Sequence, residues 1–144
     1  MGVNMKIGFT GTRQGMTPYQ KSRVLYLFHL YGLTEFHHGD CVGADAEAHV
    51  IAEGIIGCER IVIHPPKISD LRAFCDAAKI LPTKDYTKRN RDIVDSVDIM
   101  IATPKSRKEQ QRGLGTWSTI RYSENCMTGG YLKRLHIIFP ESER

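Results

Sequence analysis

Three basic residues stand where a helix tolerates them least. Lys88, Arg89 and Arg91 fall in the first turn of a helical run that Thr87 is placed to cap, and each cation there opposes the helix dipole by about 0.3 to 1 kcal/mol. Arg112 and nearby Lys108 precede the next helical run with the same conflict. A bound phosphate would resolve both; the alternative is that these side chains bend into solvent or pair with Asp85, Asp92 and Glu109. Gly11, Gly39, Gly43, Gly113 and Gly115 supply the complementary feature. Glycine-rich turns that open helices expose backbone N–H groups to an anion, although any one of them alone reads equally well as a tight turn. Asp40 and Asp45 flank an acidic loop, where a carboxylate can accept from ribose hydroxyls; helix capping is an equal reading of Asp45.

Other chemistries find less support. Asp45 and His49 are four apart with Cys41 close by, but no second ligand pair accompanies them, so no metal is expected. No GxSxG elbow exists for nucleophilic catalysis. Trp117 reads first as a core residue and second as a stacking surface for a base.

Positioning these residues requires strands and helices in alternation. Lys6–Thr10, Arg60–His64, Asp98–Ala102 and Arg134–Phe139 are short, rich in Ile, Val and Phe, and bounded by breakers, as buried strands are; Thr34–His38 is a weaker fifth. Thr17, Pro18 and Gln20 form a capping-box start, and Val24, Leu25, Phe28 and Tyr31 follow at helical spacing until Gly32. Further helices are expected over Ala44–Ile56, Leu71–Ala78, Lys88–Asp95 and Gly115–Met127. This alternation predicts an α/β fold: a Rossmann-like three-layer sandwich with a mostly parallel sheet of about five strands. Parallel strands bring their carboxyl ends to one edge, where open α/β sheets bind ligands. His64 and the Thr103-Pro104 segment end on that edge with the glycine turns.

The 144 residues, 41% hydrophobic and 25% charged, suit one globular domain over 1–144 and exclude a disordered chain. No apolar run approaches a membrane span. The net charge of +4 is too mild to argue for nucleic acid, but its distribution is uneven. Gly32–Glu53 holds five acids and no Lys or Arg, whereas Lys79–Asp92 holds five bases against two acids. Four scattered cysteines without a CxxC pair suit reduced thiols, and no signal peptide is visible. A cytoplasmic location is expected.

Thr10-Gly11-Thr12-Arg13, the Gly39–Asp45 loop, the Tyr86–Val94 segment and Arg112-Gly113-Leu114-Gly115-Thr116-Trp117 together resemble the SLOG superfamily of Rossmann-like nucleotide-ligand proteins. The resemblance runs over about Lys6 to Pro140 and is nearest to the small stand-alone bacterial and phage branch related to YspA and YpsA. It implies a ligand site drawn from Gly11, Thr12, Arg13, Gly39, Asp40, Cys41, Gly43, Asp45, His64, Arg89, Asn90, Arg112, Gly113, Leu114, Gly115 and Thr116. Arginines and loop amides would hold phosphate, Asp40 and Asp45 ribose, and Asn90 would bridge. The implied ligand is a nucleotide-derived small molecule such as ADP-ribose, with no resident cofactor, in a protein that dimerises.

Two other branches mark alternatives. Phosphoribohydrolases of the LOG type carry a PGGxGTxxE motif whose glutamate assists N-glycosidic cleavage, with an arginine that Arg89 matches. Here Arg112 replaces a glycine and Trp117, Ser118 and Thr119 include no acid, so an enzyme would need Asp40, Asp45 or Glu124 instead. DNA-processing protein A resembles the chain at Gly43-Ala44-Asp45 and Arg89-Asn90-Arg91 and binds single-stranded DNA, for which the acidic Gly32–Glu53 segment is unfavourable.

Overall fold

The structure is a computed structural model and describes residues 5–109 and 115–141. Six parallel strands form its sheet: β1 (Met5–Gly11), β2 (Leu33–His38), β3 (Ile61–Ile63), β4 (Lys79–Ile80), β5 (Ile99–Thr103) and β6 (Arg134–Ile137). Their order is β4-β3-β2-β1-β5-β6. The chain therefore winds outward from β1 in one direction, then returns to β1's other side. That reversal, between β1 and β5, is the switch point at which crossovers diverge and leave a crevice.

Helices α1 (Pro18–Tyr31) and α2 (Ala44–Ile56) cover one face, and α3 (Tyr86–Asp95) and α4 (Thr116–Thr128) the other. The first face packs Val24, Leu27 and Phe28 with Ala44, Ala48 and Ala52 over Ile7, Phe9, Phe36 and Ile61. Small residues on α2 let that helix lie close to the strands, and Phe28 meets Phe36 edge-on at 5.2 Å between ring centroids. A smaller cluster of Ile93, Val94, Val97, Met100, Cys126 and Leu132 fills the second face.

The capping box at α1 forms as expected. Gln20 N–H donates to Thr17 Oγ1 (3.1 Å) and Thr17 N–H to Gln20 Oε1 (3.0 Å). Gln20 does more than cap: almost fully buried, its amide nitrogen donates to the carbonyls of Pro104 and Ile138, both at 2.9 Å. It ties the start of α1 to the segments leaving β5 and β6.

Three sequence expectations need correction. The sheet has six strands, because the short edge pair of β4 with β3 is too brief to show a pattern. Leu71–Ala78 is not a helix. Only Ser69–Leu71 makes a 3₁₀ turn, and the backbone beyond it bonds outward: Ala73 N–H reaches Asp40 O (2.7 Å), Cys75 N–H reaches Asp40 Oδ1 (2.9 Å) and Ala78 N–H reaches Cys58 O (3.2 Å). Donors spent on partners distant in sequence cannot continue an i to i−4 ladder. Finally, α3 begins at Tyr86 with Asp85 as its N-cap, so Thr87 lies inside the first turn.

One glycine makes the loop edge possible. Gly43 caps α2 at φ +89°, and a Cβ there would sit 2.2 Å from the Arg13 carbonyl oxygen. Thr12 O meanwhile accepts from Ala44 N–H at 3.0 Å, so the β1 and β2 loops are locked together. Gly43→Ala combines a left-handed backbone with a clash against backbone atoms. It is expected to cost about 2 to 4 kcal/mol, read as a lower urea midpoint at unchanged m-value.

Candidate functional site

A cleft of about 350 Å³ opens at the switch point, within the range of small-ligand sites. Its floor is Phe9 and Ile93, and its walls come from the loops after β1, β2 and β5 and from the first turns of α3 and α4. Of the sequence-derived residues it gathers Gly11, Thr12, Arg13, Gly39, Cys41, Asp45, Arg89, Asn90, Gly115 and Thr116. Asp40, Gly43 and His64 do not line it. Arg112, Gly113 and Leu114 lie outside the described residues.

Arg89 is the centre of the wall, and it is 5% exposed. Its Nη1 donates to Gly39 O (2.6 Å) and His64 O (3.1 Å), its Nε to Asn90 Oδ1 (2.7 Å), and its Nη2 approaches Cys41 Sγ at 3.8 Å. Neutral acceptors hold this cation, and among the described residues no carboxylate lies within ion-pairing distance of it. The expected conflict with the dipole of α3 thus applies to exposed Lys88, whereas Arg89 turns inward as a clamp. Gly39 lies beneath it, where a Cβ would sit 2.5 Å from Nη1 and displace the guanidinium.

Asp45 faces the same space. Its Oδ2 accepts from Cys41 N–H (3.1 Å), while its Oδ1 is buried without a partner. Burial pushes the carboxyl up to about 6, against the pull of Arg89 and nearby backbone donors. The Tyr86 hydroxyl is a second buried, unpartnered polar atom in the cleft wall. Cys41 stays a thiol because burial and Asp45 raise its pKa. It is therefore a poor nucleophile.

The sequence reading missed Tyr86, Gln14, Lys105, Ser106 and Glu109 as cleft residues. Charge density in the Lys105–Arg112 segment was the one available signal. Trp117 is half-buried in the cleft wall and is not a core residue. Exposed Arg13, Lys105 and Lys108 make the rim cationic, while Glu109 is neutralised by Arg121.

Asp40 serves the scaffold. It is fully buried at φ +56°, accepts from Arg72 Nε (2.8 Å) and Cys75 N–H, and holds the 71–75 segment against the β2 loop. His64 is equally internal: its ring meets His37 Nδ1 at 2.8 Å, and His37 Nε2 meets Glu35 Oε2 at 2.6 Å.

The suggested Asp45, His49 and Cys41 trio does not assemble. His49 instead lies with His38 and Cys75, whose ligand atoms all fall within 4.8 Å of one another. Hydrogen-bond direction argues against a metal there. Asp40 N–H donates to His38 Nδ1 (2.9 Å), which puts the ring proton of neutral His38 on Nε2, facing His49 Nδ1 at 2.9 Å. Neither nitrogen of His38 then offers a free lone pair.

No protein-family model matches the chain, and no curated protein matches it. Among solved structures it is similar to the molybdenum cofactor binding protein from the phototrophic bacterium Rippkaea orientalis. That protein is 21% identical, aligns over 96% of this chain and 78% of its own, and superposes with a TM-score of 0.68. The likeness establishes a Rossmann-like α/β fold. Among the described residues no helix is long and apolar enough to cross a membrane.

Three outcomes follow from the buried groups. Arg89→Ala strips the Gly39 and His64 carbonyls of their donor, so it should destabilise the fold by about 2 to 4 kcal/mol, which denaturant titration would read. Dipole relief alone would have left stability level or slightly raised. Burial holds His37, His38 and His64 below their ordinary pKa, His64 at about 3. The unfolded chain therefore binds more protons below pH 6.5, and stability should fall from pH 7 to pH 4.5 in thermal melts. Asp45 opposes this, since its raised pKa makes the folded state take up a proton between about 6 and 4. Asp45→Asn should be more stable than the parent at pH 7, by about 1 to 3 kcal/mol, and lose stability more steeply on acidification.

Proposed function

We propose that this chain binds a small, phosphate-containing, nucleotide-derived ligand of the ADP-ribose type in the switch-point cleft, as a sensor or a sequestering protein. The observation that carries this reading is a buried guanidinium without a carboxylate partner that shares one cleft with the unpartnered Asp45 Oδ1 and Tyr86 hydroxyl. Leaving such groups unmatched costs several kcal/mol, which a complementary ligand recovers. Phosphate would sit against Arg13, Lys105, the free edge of Arg89 and the first amides of α4, with Arg112, Gly113 and Leu114 contributing by their place in the motif. Asp45 would accept from ribose hydroxyls, and Trp117 offers a flat surface to a base. A cofactor-binding structural neighbour supports small-ligand binding in general.

On this reading residues 1–144 form one SLOG-like domain, which works as a homodimer in the cytoplasm, where its four free cysteines stay reduced. A second reading, hydrolysis of a nucleotide's N-glycosidic bond, is favoured by one feature. Asp45 is a cleft carboxyl of raised pKa that could face a ribosyl cation.

Native mass spectrometry of the purified protein, followed by calorimetric titration with ADP-ribose, tests the binding reading. A nucleotide-derived adduct or micromolar binding is expected, weakened about 5- to 20-fold in Arg13→Ala, whose exposed side chain leaves the fold intact. Absence of both the adduct and binding at millimolar ligand overturns it. Incubation with nucleoside monophosphates separates the two readings. Turnover far below the roughly 10 s⁻¹ typical of enzymes is expected, and robust base release abolished by Asp45→Asn would establish the hydrolase.

A further inference from the structure

A helix that covers a sheet normally buries one stripe and turns charge to solvent. Helix α1 does not. Its inner side buries Val24, Leu27 and Phe28, yet Leu25, Tyr26 and Leu30 stand out from the rest of it, the last two at least half exposed. Val50, 67% exposed, does the same on α2, which packs beside α1. Single exposed apolar residues need no explanation, but these are gathered on one helix pair.

Charge is segregated between the same two helices. From Pro18 to Tyr31 the chain carries Lys21, Arg23 and His29 and no acid, and from Ala44 to Ile56 it carries Asp45, Glu47 and Glu53 and no Lys or Arg. Within the chain this difference is used once, by Lys21 Nζ and Glu47 Oε2 at 3.3 Å. Arg23 is left over: its guanidinium lies 4.6 Å over the Tyr26 ring, and among the described residues it forms no ion pair. Exposed Glu53 has only His49 Nε2 in range, at 3.9 Å. Gly54, one turn after Val50, adds a third sign. A Cβ there would meet nothing within 4 Å, so the chain's own packing gives no reason for a residue that costs a helix interior about 1 kcal/mol relative to alanine. A backbone approaching from outside supplies one.

A basic helix beside an acidic one forms a face that is complementary to itself after a two-fold rotation placing α1 of one copy on α2 of the other. A rotation placing α1 on α1 would oppose Arg23 to itself. We propose that the outer face of α1 and α2 is a two-fold interface with a second copy of this chain, in which Arg23, Tyr26 and Leu30 dock on Val50, Glu53 and Gly54 of the other copy. This rests on the homodimer reading and gives it a surface. None of these residues lines the ligand cleft.

Light scattering on the whole chain tests this. A mass twice the 16.3 kDa of one chain is expected at roughly 100 μM protein. Leu30→Glu and Val50→Glu alter exposed positions, so they should fold as the parent does while weakening self-association at least about tenfold. Gly54→Leu should also block pairing, and its melting temperature at monomeric dilution should stay level or rise. Arg23→Glu should weaken association about 5- to 20-fold, and adding Glu53→Arg should restore it, a recovery that damage to the fold cannot produce. Met127→Glu, exposed on α4, should change nothing. A monomer at that concentration overturns the interface and the homodimer reading together. A dimer that survives Leu30→Glu and Val50→Glu overturns this face and leaves the homodimer reading standing. A double charge reversal that stays weak overturns the pairing of α1 with α2.

Discussion

Arg89 is the contact on which the sheet edge depends. One guanidinium gathers the carbonyl ending β2, the carbonyl ending β3 and the amide of the next residue on α3. Removing a cation from water costs several kcal/mol even after relaxation, and neutral carbonyls return only part of it. A carboxylate partner would have returned more of that cost, but it would also have cancelled the charge. The arrangement keeps a rigid positive potential at the switch point, in the wall of the cleft.

The same economy explains the histidines around β2. Two adjacent residues, His37 and His38, point to opposite faces of the sheet, and each meets another histidine there: His64 on one side, His49 on the other. Because Asp40 N–H fixes the tautomer of His38 and burial keeps His37, His38 and His64 neutral, the rings add hydrogen bonds to the core without adding charge. The field at the strand ends is therefore set by Arg89, the rim cations and the helix termini. A protonated histidine pair would have blurred it.

Local sequence signals were legible in proportion to how local their physics is. Thr17 and Gln20 predict a helix start because both hydrogen bonds close within three residues. Leu71–Ala78 misleads because its backbone donors are claimed by Asp40 and Cys58, which no window around residue 75 contains. Asp40 reads as a ribose ligand for a related reason: an acid in a glycine loop looks available until Arg72, thirty-two residues on, is seen to pair with it. Arg89 reads from the sequence as an anion-site candidate, but its burial, and with it its structural duty, depends on the β2 and β3 loops folding over it. Trp117 and Tyr86 join the cleft only through the convergence of α3 and α4. The sequence places strands and turns on one edge; which side chains face each other across that edge is decided by the crossovers.

Asp45 shows how these constraints combine in the cleft. It occupies the first turn of α2, where the helix dipole and the Cys41 N–H favour the carboxylate, and Arg89 adds to that preference. Burial outweighs all three and brings the carboxyl to the middle of the titration range. The balance is close enough that the cleft's occupant decides the outcome. A ligand that presents hydroxyl or amine donors recruits the carboxylate and releases a proton, whereas one that presents only acceptors recruits the acid. Ribose hydroxyls belong to the first kind and phosphate oxygens to the second, so a nucleotide placing its sugar at Asp45 and its phosphates toward Arg13 and Arg89 satisfies each group in its preferred charge state. The reversed orientation would set two anions together in the most buried part of the cleft. On the proposed binding reading, the charge pattern would thus select the direction in which such a ligand enters.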